Sequence, residues 1–203
     1  MIVVPANSRG TEPLPPLARA TFLERLSGLL SAAYGVEHDG AAGSAPEPPT
    51  PALSAHDANV ISTLGNACAT CRGECCTAGG THAFLRGENL TRLRQAHPAE
   101  SAETMLAEYA AYLPVRHYRD SCVYHTTSGC ALPRTLRADL CNRYVCGGLT
   151  QLKTALSVSG ETTAYIGAAD AVQLRRLAVV NSAGARQIAL GAPWGEHRGE
   201  GTE

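Results

Sequence analysis

All eight cysteines of this 203-residue chain fall between residues 68 and 146. They run Cys68-x2-Cys71-x3-Cys75-Cys76, then Cys122-x7-Cys130-x10-Cys141-x4-Cys146. Cysteines used only as small apolar filling would scatter along the chain, and these do not. A disulfide framework needs an oxidising compartment, and adjacent cysteines such as Cys75 and Cys76 pair with each other only under strain. The apolar run at the N-terminus, Ile2 to Val4, is far shorter than the core of a secretion signal, and Pro5 cuts it. No run approaches the ~20 apolar residues of a membrane span. The chain therefore reads as cytoplasmic, a setting in which clustered cysteines bind metal or carry redox chemistry.

Spacing favours metal. A tetrahedral centre wants two donors from one tight turn, and the two-residue gap between Cys68 and Cys71 supplies them. Gly73 permits the bend that returns Cys75. Side chains of adjacent residues diverge, so Cys75 joins Cys68 and Cys71 while Cys76 reaches a second centre. Centres built from both cysteine blocks follow from this. The long gaps between Cys122, Cys130 and Cys141 are too loose for one knuckle and suit a larger body, such as an iron–sulfur cubane. Gly79, Gly80, Gly147 and Gly148 would let backbone amides approach its sulfurs. The predicted ligands are Cys68, Cys71, Cys75, Cys76, Cys122, Cys130, Cys141 and Cys146. The predicted cofactor is an iron–sulfur cluster of the 4Fe-4S type, or zinc. Arg72, Arg137 and Arg143 lie beside ligands and could offset thiolate charge. His82, His117 and His125 read as neighbours of the site rather than ligands. Tyr118, Tyr124 and Tyr144 read as packing over it.

Around this block the chain is ordinary. Residues 14–36 carry Leu17, Phe22, Leu26, Leu29, Leu30 and Ala33 at helical spacing, with Pro15 and Pro16 at the start and Gly35 at the end. Residues 38–53 hold four prolines among small residues and read as a linker. Ser54 could cap a helix through Val60, Ile61 and Leu64. Residues 68–82 look too rich in Cys and Gly for regular structure. Short helices are predicted over 88–96, from Pro98 to Leu113, and over 149–156. Strands are predicted over 164–167, 177–181 and 187–190, with a hairpin turn at Asn181–Gly184. The predicted organisation is an N-terminal helix (1–37), a Pro-rich linker (38–53), a cysteine-cluster metal-binding domain (54–157), a β-hairpin extension (158–191) and a flexible tail (192–203). The fold class is α+β and irregular: a small, helical, loop-rich domain organised around cysteine-ligated metal, with a C-terminal β-hairpin. Residues 1–53 carry no cysteine and should be dispensable for the metal.

Three segments carry a resemblance. CATCRGECC (68–76), CVYHTTSGC (122–130) and RADLCNRYVC (137–146) resemble the zinc- or iron-chelating cysteine-cluster proteins of the CxxCxxCC, or YkgJ, family. Gly129-Cys130, Arg137-x3-Cys141 and Tyr144 fall where that family places Gly-Cys, an arginine before a cysteine, and an aromatic. The gap between Cys71 and Cys75 is one residue longer than the family name implies, and Ala138 stands where proline is usual. The resemblance covers about residues 65–150. It implies metal chelation, and through a flagellin lysine methylase relative it implies an iron–sulfur centre.

The functional expectation is a metal-binding protein serving electron transfer or protein modification. The alternatives are a structural zinc module for protein–protein contact, and a cluster-dependent, methylase-like modifying enzyme. No radical-SAM, Walker, dinucleotide or zinc-deaminase motif is present, so the sequence leaves open whether the chain is an enzyme. A net charge of −1 and no basic stripe argue against nucleic acid, leaving a protein as the expected partner.

Overall fold

The computed structural model describes residues 1–35 and 55–190. The predicted linker, the Ser54 cap and the predicted tail lie outside the described residues. In chain order the elements are β1 (Ile2–Pro5), β2 (Thr11–Pro13), α1 (Pro16–Gly35), α2 (Ala55–Cys71), α3 (Gly87–Ala96), α4 (Ala102–Ala111), β3 (Arg116–Tyr118), β4 (His125–Thr126), β5 (Gly129–Cys130), α5 (Asp139–Arg143), α6 (Gly147–Ser159), β6 (Ala164–Ala169), β7 (Leu174–Asn181) and β8 (Gly184–Ile188). A 3-10 turn over Glu74–Gly79 follows α2, and another over Arg134–Leu136 precedes α5.

Two apolar cores organise these elements. In the first, α1 buries Phe22, Leu26, Leu30 and Ala33, a single stripe at helical spacing. Against it lie Leu90 and Leu93 of α3, and Met105 and Tyr109 of α4. Ser101 caps α4 by accepting the Thr104 amide at 3.2 Å. Arg94 donates to the Ala33 carbonyl at 2.9 Å, satisfying the end of α1. Tyrosines stitch the middle: Tyr124 donates to the Tyr109 carbonyl at 2.7 Å, and Tyr109 donates to the Leu136 carbonyl at 2.8 Å. Phe22 meets Tyr124 edge-on at 5.2 Å.

In the second core, α2 and α6 cover one face of a four-stranded sheet of order β1-β6-β7-β8. β1 runs parallel to β6, while β6–β7 and β7–β8 are antiparallel. Val4, Ile166, Ala168, Ala178 and Val180 pack against Val60, Ala67, Leu149, Leu152 and Leu156. The Asn181 side-chain oxygen accepts from the Ala183 and Gly184 amides and closes the β7–β8 turn.

The structure corrects the predicted fold class. It is mixed α+β with several helices and sheets, held by two apolar cores and not organised around a cysteine-ligated metal. The C-terminal strands are the larger part of a four-stranded sheet, because Ile2–Pro5 joins them as β1. The N-terminal region enters both cores: β1 supplies a strand to one and α1 a helix to the other.

Candidate functional site

The helix α2 continues through Cys68 and Cys71, where an irregular knuckle was predicted. Three residues apart, these cysteines share one flank of its last turn. The helix ends at two left-handed residues, Arg72 (φ 58°) and Gly73 (φ 70°), which reverse the chain into the Glu74–Gly79 turn bearing Cys75 and Cys76. Glycine is required at 73: a Cβ there would lie 2.5 Å from His125 Nε2. The exposed carbonyls of the helix end are taken up by Asn7 and Arg176. Arg176 donates to the carbonyls of Thr70 (2.8 Å), Cys71 (3.0 Å) and Asn7 (3.0 Å). Asn7 donates its amide to Cys71 at 3.0 Å and its side chain to Arg72 at 3.1 Å. A cation at a helix C-terminus also complements the helix dipole.

This end of α2 forms one wall of an open pocket of about 140 Å³. Cys68, Cys71, Cys75 and Cys146 line it, with Val4, Pro5, Tyr144 and Leu149 as apolar lining. Glu74 also lines it and is paired with Arg9 at 2.9 Å. Cys146 reaches the pocket because α6 begins directly after it and lies close against β1. Gly148 permits that approach, since a Cβ there would meet the Val3 carbonyl oxygen at 2.3 Å.

The thiols of the pocket differ sharply. Burial, reinforced by its neighbouring cysteines, pushes Cys68 up to about 11. Burial also raises Cys71, although the Glu74 amide donates to its sulfur at 3.3 Å and partly offsets this. Cys75 moves the other way, down to about 7, chiefly because the Cys76 thiol donates a hydrogen bond to it. Backbone hydrogen bonds from the turn add to the effect. Cys76 is raised by the same bond, since it must keep its proton to donate it. All eight cysteines are free thiols, and Cys75 is one of the two exposed ones, with Cys141.

Cys76 belongs to the other core, together with Cys122 and Cys130. The Cys122 amide donates to the Cys76 carbonyl at 3.1 Å. Gly79 fits tightly against Cys122, where a Cβ would lie 2.8 Å from the Cys122 Cβ. Cys130 pairs with His125 across the β4–β5 ladder. His125 is buried and accepts or donates at 2.7 Å with Ser121. Burial lowers its pKa to about 4, which keeps it neutral near pH 7. His82 accepts the Phe84 amide at 3.0 Å and shapes a local turn. His117 is buried, with Glu12 at 3.8 Å. Arg137 donates to the carbonyls of Leu132 and Cys130 and braces the β5 loop. Tyr118 packs on His125 at 4.5 Å and Tyr124 is buried in the first core, whereas Tyr144 lines the pocket.

The pocket thus brings together residues from both cysteine blocks, but the predicted metal centre is overturned. Among the described residues, no group of three or more His, Cys, Asp or Glu side chains is arranged to hold a metal ion. The physical reason lies in the local structure. Cys68 and Cys71 sit on the last turn of an α-helix and not on an irregular knuckle. Cys75 lines the pocket, while the adjacent Cys76 packs partly buried against the first core. The eight cysteines therefore do not stand as ligands of an iron–sulfur cluster or of zinc, and the roles built on such a centre, electron transfer, zinc module or cluster-dependent modification, fall with it. No family model, curated protein or solved structure matches this chain. The metal-chelating domain implied by the resemblance to the CxxCxxCC (YkgJ) family is not what the chain builds. No helix among the described residues is long and apolar enough to cross a membrane.

Sequence reasoning missed the N-terminal contribution, namely Val4, Pro5, Asn7 and Arg9, and the anchoring Arg176. The one signal available for the N-terminal strand was the run of three β-branched residues, Ile2-Val3-Val4, before Pro5.

Proposed function

We propose that the protein is a dithiol–disulfide exchange protein acting on a protein or peptide disulfide in the cytoplasm. The observation that carries this reading is the shared pocket: exposed Cys75 and buried Cys71 line one open cavity, and both are free. Cys75 is the attacking group, since a thiol lowered to about 7 is substantially ionised near neutral pH. Its thiolate attacks one sulfur of the incoming disulfide, forming a mixed disulfide and expelling the first thiolate of the partner. Cys71 then loses its proton and attacks the Cys75 sulfur. That closes a Cys71–Cys75 disulfide and expels the second partner thiolate. Two electrons pass to the partner, and the protons of the two protein thiols accompany the departing sulfurs. The raised pKa of Cys71 suits this order, because it stays protonated and does not compete for the first attack. Val4, Pro5, Tyr144 and Leu149 give apolar side chains flanking a substrate cysteine a surface to lie on.

Oxidised glutathione added to the reduced protein, followed by acid quench and peptide mapping, tests the reading. The Cys71–Cys75 disulfide should form, and Cys71→Ser should arrest the reaction at a Cys75–glutathione adduct. Oxidation that spares Cys75 and begins elsewhere would overturn it.

A further inference from the structure

We infer that His125 is a positioning residue for the second step of the exchange: fixed by Ser121, its ring holds the Arg72–Gly73 corner so that the Glu74 amide stays on the Cys71 sulfur. This rests on the exchange chemistry proposed above. In that step the Cys71 thiolate attacks the Cys75 sulfur of the mixed disulfide. The Cys71–Cys75 bond forms, the bond to the partner sulfur breaks, and the Cys71 proton follows the departing partner thiolate. The setting of Cys71 opposes a thiolate. It is the last residue of α2, where the helix dipole is negative, and it is buried. The amides just beyond the helix end offset this. Glu74 donates to the Cys71 sulfur at 3.3 Å, and the Gly73 amide also favours the thiolate. Only a chain reversal brings those amides back onto the sulfur of the residue before them.

The reversal consists of two consecutive left-handed residues, Arg72 (φ 58°) and Gly73 (φ 70°). A residue with a Cβ is disfavoured there, so the corner persists only where its surroundings hold it. Asn7 holds it at the Arg72 carbonyl, through a 3.1 Å bond. His125 holds it at Gly73. Its Nε2 and Cε1 lie 2.5 Å and 3.0 Å from where a Gly73 Cβ would stand, so the edge of the ring is pressed against the glycine. The ring is itself fixed. Ser121 Oγ shares a 2.7 Å hydrogen bond with Nδ1, Tyr118 packs on the ring at 4.5 Å, and the His125 amide donates to the Cys122 carbonyl at 2.8 Å. His125 is 1% exposed and Ser121 5%. A buried polar pair with its bond made sets the orientation of the ring as well as its volume, which apolar filling would not do.

Time-resolved oxidation of the full chain by oxidised glutathione, with acid quench and mass spectrometry, tests the assignment. Ser121→Ala keeps the ring and removes its anchor. In this variant the Cys75–glutathione adduct should form at the wild-type rate, because the Cys76 thiol and not the corner chiefly sets Cys75. Its resolution to Cys71–Cys75 should slow several-fold. His125→Ala should slow that step further, and His125→Gln, whose amide reaches toward Gly73, should recover part of the rate. A carbon NMR titration of the cysteine Cβ signals gives a readout independent of exchange: the Cys71 midpoint should rise in Ser121→Ala while that of Cys75 stays in place. Resolution at the wild-type rate in both alanine variants would overturn the assignment. So would equal slowing of both steps, the mark of a loosened fold. Should His125→Ala not fold, Ser121→Ala decides. If the wild-type chain never forms the Cys71–Cys75 disulfide, the exchange reading fails, and an unmoved Cys71 midpoint in Ser121→Ala is then what overturns the positioning role.

Discussion

Replacing Cys76 with alanine removes the hydrogen bond that holds the Cys75 thiolate. In the native protein Cys75 lies at about 7, against an ordinary value of 9.0. A thiol at 9.0 is ionised to about 1% at pH 7 and one at 7 to about half, a ~50-fold gain in thiolate. The less basic thiolate is also the weaker nucleophile: with a Brønsted slope of ~0.5, two units cost ~10-fold. The net expectation is alkylation of Cys75 ~5-fold faster than of an ordinary exposed thiol at pH 7. Short iodoacetamide pulses from pH 5 to pH 10, read residue by residue by mass spectrometry, measure this directly. Native Cys75 should label first, with a midpoint near 7, and Cys76→Ala should move that midpoint up toward 9. The sign also fixes the effect on stability. A depressed folded-state pKa stabilises the fold above the unfolded value near 9, and this stabilisation is lost as pH falls through 7. A Cys75 midpoint at or above 9 in the native protein, or one unmoved by Cys76→Ala, would refute the reasoning.

Other perturbations probe the scaffold. Gly148→Ala drives a methyl into the Val3 carbonyl, so α6 must separate from β1 at a cost of about 1–3 kcal/mol, seen as a drop in Tm. Arg176→Leu strands the carbonyls at the end of α2 and should destabilise by about 2–3 kcal/mol in denaturant titration. It should also loosen the Cys71–Cys75 spacing and slow closure of the pocket disulfide. A chain beginning at residue 54 loses β1 and α1, and should fail to give a cooperative melting transition.

Much of the secondary structure was legible because it rests on local pattern. The stripe Phe22-Leu26-Leu30 defines α1, and the turn at Asn181–Gly184 defines the β7–β8 hairpin, without long-range information. What escaped was non-local. Nothing in Ile2–Pro5 says that it will pair with Ile166–Ala169, more than one hundred and sixty residues away. The position of Cys146 beside Cys68 follows from that same pairing, through Gly148. The spacing Cys68-x2-Cys71 was misread because it fits a metal knuckle and a helix turn equally well. Ala67 and Val60, buried at helical spacing upstream, extend the helix through both cysteines. With the sulfurs on the last turn of a helix, the helical spacing alone accounts for their separation, and no group arranged to hold a metal stands among the described residues.

The central claim is that the working groups of this protein are free thiols. It is tested most directly by elemental analysis and thiol titration on one sample of native protein, purified without oxygen. The account predicts no stoichiometric zinc or iron, a fast-reacting Cys75, and reversible passage of Cys75 and Cys71 between dithiol and disulfide. One or more metal equivalents per chain, released only on unfolding and with the pocket cysteines unreactive until then, would contradict it.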